Sequence, residues 1–178
     1  LADECVRLQS AADFFDPVAL LSIAQACDVD AIHPGYGFLA EEAYFIRACE
    51  AAGIAFIGPP AEVVEPLRSK IHTLQAARAA GFKTPSHSPI SFGAENLDEI
   101  GPAAEKLGYP VIIKSCSGGR GRGEKLAYSA DHLQEAVRQA QVIGYAIYGN
   151  PRVYLEKAIL PAYQVGVQIL ADKEGNLI

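Results

Sequence analysis

Residues Lys114 to Lys125 read KSCSGGRGRGEK, and four of the six residues from Gly118 to Gly123 are glycine, interleaved with Arg120 and Arg122. Glycine loses more backbone freedom on folding than any other residue, so a run of this kind carries a cost that some use must offset. Three uses fit the composition. Backbone N–H groups could fold over phosphate oxygens, with Lys114 as a fixed charge at the base. The alternatives are a plain flexible hairpin, or an RGG-like contact to RNA. The spacing departs from two familiar phosphate loops. The order G-x-x-x-x-G-K-[ST] is absent, and Gly119, Gly121 and Gly123 do not supply a G-x-G-x-x-G opening a helix. RNA is the weakest of the three, because no aromatic residues alternate with the arginines.

A second stretch, HPGYGF from His33 to Phe38, follows a short apolar run. Ligands of open α/β sheets bind at such carboxyl ends of strands. Gly35 and Gly37 permit a tight path there, and His33, Tyr36 and Glu41 bring hydrogen-bonding groups as candidate substrate-side residues. His33 reads equally well as a structural histidine satisfied by backbone. Glu156 and Lys157 close the run RVYLEK. Adjacent strand residues face opposite ways, so they cannot pair side by side. Taken alone they read as a solvated strand end; the sharper alternative is a main-chain contact to a purine edge just beyond the strand. Lys70, beside Ser69, carries no signal of its own. Cys5, Cys27, Cys49 and Cys116 are widely spaced, with no CxxC pair and no metal-ligand rhythm, which reads as reduced thiols. No residue stands out as a candidate catalytic group or metal ligand.

The elements that must position these residues alternate. Asp16 before Pro17 has the form of an N-cap followed by proline at the first helical position. PVALLSIAQAC then reads as a helix, VDAIHP as a buried strand, EEAYFIRACEAAG as a helix with Phe45, Ala48 and Ala52 inward, and IAFIGPP as a second strand. Helix, strand, helix, strand from 17 to 58 is the rhythm of a parallel, helix-covered sheet. A short helical turn near Ala61 should be interrupted at Pro66. Ser69 can cap a helix over SKIHTLQAARAAG. The serine- and proline-rich FKTPSHSPISFG is a loop containing a domain boundary, giving domains at 1–84 and 85–178. NLDEIGPAAEKLG is a weaker helix and YPVIIK a clear strand. EKLAYS returns antiparallel to it, SADHLQEAVRQAQVIGYA is an amphipathic helix, and RVYLEK is a further strand. VGVQILAD and NLI form a hairpin.

The chain has 178 residues, half of them apolar, a formal charge of −6 and no methionine. An acidic balance argues against a general nucleic-acid binder but leaves room for a local phosphate cleft. No apolar run reaches the roughly 18 residues of a membrane span, and the first ten residues lack a secretory pattern. The reading is a cytoplasmic protein, with an organelle after removal of a targeting peptide as the alternative. Leu177 and Ile178 begin a strand at which the sequence stops, so the expectation is an incomplete piece of a larger α/β protein.

AIHPGYGFLAEEAYF, FIGPP, SK, GYPVIIKSCSGGRGRG, RVYLEK and VQILADKEGN occur in one order along the chain. Together they resemble the biotin carboxylase component of the biotin-dependent carboxylases, over nearly the whole length. The resemblance implies a preATP-grasp domain, parallel and Rossmann-like, followed by the first part of an ATP-grasp domain. It implies ATP-dependent activation of bicarbonate and carboxyl transfer to biotin N1, with Mg²⁺ held by residues outside this chain. Biotin would be carried on a carboxyl carrier domain or subunit, alongside a carboxyltransferase; family members often dimerise. Residue by residue, Lys70 and Lys114 resemble the two lysines that hold ATP phosphates. Gly118, Gly119, Gly121, Arg122 and Gly123 match the loop over the triphosphate, and Glu156, Lys157 and Ile159 the hinge that meets adenine.

Several positions depart from the pattern. Arg120 stands where the family has glycine. Gln164, Val165 and Gly166 replace His-Ile-Glu, Ser69 precedes Lys70 in place of aspartate, and Ala158 replaces the hinge tyrosine. The expectation is therefore a biotin carboxylase fragment, inactive in isolation. The alternatives are a degenerate, non-catalytic binding or scaffolding subunit, or another ATP-grasp ligase such as a carbamoyl-phosphate synthase relative.

Overall fold

The computed structural model describes residues 2–117 and 123–178. Its first half is built on α1 (Pro17–Ala26), β1 (Ala31–Ile32), α2 (Ala43–Ala51) and β2 (Ala55–Phe56). The Asp16 carboxylate accepts the Val18 and Ala19 N–H groups at 2.9 and 3.3 Å, and Pro17 occupies the first helical position, where its missing N–H costs nothing. β1 and β2 pair in parallel, Ala31 opposite Ala55 and Ile32 opposite Phe56, as the alternating rhythm requires. Helix α2 turns Ala43, Phe45, Ile46 and Cys49 inward, while Ala48 and Ala52 are only half-buried. Phe45 meets Phe56 edge-on, ring centroids 6.1 Å apart, fastening helix to sheet.

Helix α3 (Ala61–Leu67) runs through Pro66 rather than stopping at it. The proline stands one residue from the end, so only a final-turn hydrogen bond is lost and the chain leaves the helix directly afterwards. In α4 (Lys70–Ala79) the Ser69 hydroxyl accepts the His72 N–H at 3.4 Å, the cap expected from the sequence. No residue of α4 is fully buried.

The second half comprises α5 (Ile100–Leu107), β3 (Val111–Ser115), β4 (Lys125–Ala127), α6 (Ala130–Tyr148) and β5 (Val153–Lys157). The strands form an antiparallel sheet in the order β4-β3-β5. Along β3 the side chains of Val111, Ile113 and Ser115 are buried and those of Ile112 and Lys114 half-buried, the period-2 alternation of a strand with two unlike faces. One face packs against α5 and α6: Val111, Ile113, Val153 and Leu155 join Ile100, Ala104, Leu133, Val137 and Ala140 in one core. The other face carries Lys114.

The serine-rich segment before α5 is more than a loop. His87 and Phe92 form antiparallel bridges to Glu156 and Val153. Ser88 is buried; its hydroxyl accepts the Leu155 N–H at 3.1 Å and donates to the Ile90 carbonyl at 2.8 Å. β5 is thereby flanked on both sides, an arrangement that turn composition did not reveal. The expected terminal hairpin is slight. It comprises one bridge, Ala171 to Leu177, and reciprocal bonds between Leu170 and Ile178 at 2.8 and 3.0 Å.

Helix α6 crosses β3 closely at Gly144. A Cβ there would lie 2.9 Å from the Asn150 carbonyl oxygen and 3.1 Å from Ser115 Oγ, which is buried and has no hydrogen-bond partner among the described residues. Alanine is the better helix former by about 1 kcal/mol, but overpacking against an immobile carbonyl costs about 1–3 kcal/mol. Gly144→Ala is therefore expected to lower stability by about 1 kcal/mol. Ser115→Ala, which removes an unsatisfied buried hydroxyl, should raise it by about 1 kcal/mol. Urea unfolding checks both; midpoints shifted in the opposite directions would contradict this packing.

Candidate functional site

The register of the antiparallel sheet assembles a polar cluster on the face away from the helices. Lys114 lies opposite Tyr154, and Ile112 opposite Glu156, so Lys114, Tyr154 and Glu156 share a face. The Lys114 ammonium is 2.8 Å from Glu156 Oε2, and Glu156 Oε1 accepts the Tyr154 hydroxyl at 2.6 Å. Glu156 is only 6% exposed, yet each of its oxygens has a partner, as a buried carboxylate requires. Burial, reinforced by the bond to Glu156, pushes the Tyr154 phenol far above its ordinary range.

This corrects the reading of Glu156 and Lys157 as a solvated strand end. β3 on one side and the His87–Phe92 segment on the other make β5 an interior strand. Lys157 does point the opposite way from Glu156. Its ammonium donates to the Gly108 and Tyr109 carbonyls, both at 2.8 Å, just past the carboxyl end of α5. Carbonyls at a helix C-terminus attract a cation.

A second lysine reaches the cluster from outside the sheet. Lys70, the first residue of α4, is 3.9 Å from Glu124 Oε1, and the Lys114 ammonium is 3.8 Å from the same oxygen. Continuing the pairs Ile112–Leu126 and Ile113–Lys125 by one step sets Glu124 opposite Lys114. Burial lowers the Lys70 pKa; Glu124 opposes that shift and Lys114 adds to it. Nearby, burial pushes the Cys116 thiol up, so it is not an activated nucleophile. Two ammonium groups that reach one carboxylate oxygen are placed to reach one phosphate group.

Beyond β5, the Lys157 N–H donates to the Ser86 carbonyl at 2.7 Å and the Ala158 N–H to the Pro110 carbonyl at 3.1 Å. The Ile159 N–H has no backbone partner among the described residues, and Ile159 is 59% exposed. Gly118, Gly119, Gly121 and Arg122, with Arg120, lie outside the described residues. Gly123 is described: at φ 83° it packs within 3.2 Å of the Ile143 side chain, measured from the position a Cβ would take. His33 Nδ1 accepts the Gly35 N–H at 3.0 Å, the backbone-satisfied role weighed for it. His33 and Tyr36 line a different cleft, of about 480 Å³, with Phe14, Phe15, Leu39 and Phe45. The structure thus unites Lys70, Lys114 and Glu156. Sequence reasoning missed Tyr154 and Glu124, whose signal is strand parity relative to Glu156 and Lys114.

Residues 1–64 match the family described as biotin carboxylase, N-terminal domain, and residues 70–178 the carbamoyl-phosphate synthase L chain, ATP binding domain. The biotin carboxylase of Haemophilus influenzae is 37% identical over 183 residues, taking in 100% of this chain and 40% of that protein. The pyruvate carboxylase of Bacillus subtilis is 39% identical over 166 residues, covering 93% of this chain and 14% of its own. Among solved structures, a biotin carboxylase–βγ-ATP complex from Campylobacter jejuni superposes with a TM-score of 0.82 at 30% identity, over 97% of this chain and 38% of that one. The 2-oxoglutarate carboxylase biotin carboxylase domain dimer of Hydrogenobacter thermophilus, with MgADP, ADP and bicarbonate, gives 0.81 at 32% identity, over 92% of this chain and 36% of that one. The chain spans 40% or less of the length of these relatives. With the helix–strand rhythm, the parallel pair and the antiparallel sheet in agreement, the chain belongs to the biotin carboxylase family.

Proposed function

We propose that this chain is the nucleotide-gripping opening portion of an ATP-dependent biotin carboxylase, which activates bicarbonate with ATP and carboxylates biotin N1. The observation that carries the reading is the meeting of Lys70 and Lys114 at a single carboxylate oxygen, at 3.9 and 3.8 Å. An anionic oxygen brought to that point would be held by two ammonium groups, one from a helix start and one from a strand end. Residues 1–84 are assigned to a partial preATP-grasp domain and 85–178 to a partial ATP-grasp domain.

In this reading Lys70 and Lys114 hold phosphates, and the glycines Gly118, Gly119, Gly121 and Gly123, with Arg122, cover them. Glu156, Lys157 and Ile159 form the adenine edge. The Lys157 and Ala158 amides are already committed to Ser86 and Pro110, so the Ile159 N–H is the donor left for the purine. His33, Tyr36 and Glu41 stand as the substrate-side group. Mg²⁺ would supply charge compensation to the phosphates, its ligands being assigned in this reading to residues outside this chain. The partners proposed are a biotin carboxyl carrier, a carboxyltransferase, bicarbonate and a second copy of the protein, in the cytoplasm or an organelle. No helix among the described residues is long and apolar enough to cross a membrane.

Calorimetric titration of the full-length polypeptide with Mg·ATP tests the assignment. Binding is expected, and Lys114→Gln should weaken it by about tenfold or more, the loss of about one charge-assisted contact. Absence of binding, with stable association to carboxylase subunits instead, would favour the scaffolding alternative. The 178-residue chain by itself is expected not to hydrolyse ATP in response to biotin, because phosphoryl transfer needs metal-borne charge compensation. Turnover matching that of a full-length relative would contradict this.

A further inference from the structure

The cluster holds two kinds of carboxylate. Glu156 is buried and doubly bound, at 2.8 Å to Lys114 and 2.6 Å from the Tyr154 hydroxyl, so it is a fixed part of the site. Glu124 is different. Its side chain is 32% exposed, and its Oε1 stands 3.8 Å from Lys114 and 3.9 Å from Lys70, outside direct hydrogen-bonding range of either. It sits midway between the two ammonium groups, at the point where an incoming phosphate oxygen would be held. Counting charges among the described residues, two ammonium groups face two carboxylates, so these four side chains together offer an anion no net positive charge. Only one of the two carboxylates is held loosely enough to be displaced.

We propose that Glu124 is a tethered counter-ion that competes with the nucleotide's phosphates for Lys70 and Lys114, and so tunes affinity according to ligand charge. The inference rests on the assignment of these lysines to phosphate binding. Its position follows from the sheet: Glu124 immediately precedes β4, and one further step of the β3–β4 register sets it opposite Lys114, with its carboxylate 3.8 Å from the ammonium. Like charge beside the phosphates disfavours their entry. The opposition grows with the number of phosphate charges and is screened by salt.

The test compares the wild-type full-length polypeptide with Glu124→Gln and Glu124→Asp, titrated with adenosine, ADP and ATP without Mg²⁺ and with Mg·ATP. Glu124→Gln keeps the shape and removes the charge. It should bind ATP about tenfold tighter, ADP with a smaller gain, and adenosine unchanged, the gain shrinking as salt is raised. Glu124→Asp, which keeps the charge, should stay near wild type. Equal effects on all three ligands, or similar gains in both variants, would assign the change to packing and overturn the proposal. Unchanged or weaker ATP binding in Glu124→Gln would overturn it too, and weakening confined to Mg·ATP would make Glu124 a metal ligand instead. Failure of every protein, wild type included, to bind any nucleotide would overturn the phosphate-site assignment itself and this inference with it.

Discussion

The ion pair between Lys114 and Glu156 is the constraint around which the second half of the molecule is organised. A carboxylate as buried as Glu156 is tolerated only if both oxygens are satisfied, and the sheet supplies the partners by register alone. The same register commits the opposite face, where the middle of each strand must be apolar, with Ser115 and Lys157 at its two ends. Val111, Ile113, Val153 and Leu155 are, and they build the core against α5 and α6. Slipping β5 by one residue would bury the charges among the helices and expose the core. Polar cluster and hydrophobic core therefore specify each other.

Lys157 extends that logic to the neighbouring helix. Facing away from Glu156, it ends at the carbonyls of Gly108 and Tyr109. The adenine edge proposed for the end of β5 is thus anchored to the turn that leads into β3, and the two strands carrying Glu156 and Lys114 are joined at the same end. Lys70 comes from a separate helix with no fully buried residue. One lysine is mounted rigidly and the other on a lightly held support.

Much of this was legible in the sequence, for identifiable reasons. The Asp16 and Ser69 caps, the parallel pair and the β3–β4 return all follow from local chemistry or short periodicity. Lys114 was legible because it ends an apolar run. Glu156 was misjudged because nothing in RVYLEK tells that His87–Phe92 will lie along its other side; that neighbour is some 60 residues away and reads as turn. Tyr154 and Glu124 went unnoticed because they matter only through cross-strand register, a relation between two segments rather than a property of either. Pro66 shows the reverse error: a strong local signal overruled because its position, one residue before the helix end, made it nearly harmless.

The bridges of His87 and Phe92 to β5 also decide how the sheet can meet other molecules. That margin is already occupied by the protein's own chain, leaving no row of unpaired main-chain groups there for a foreign strand to copy. The opposite margin, β4, is only three residues long. Among the described residues, neither side offers a long exposed strand for a second copy to pair with.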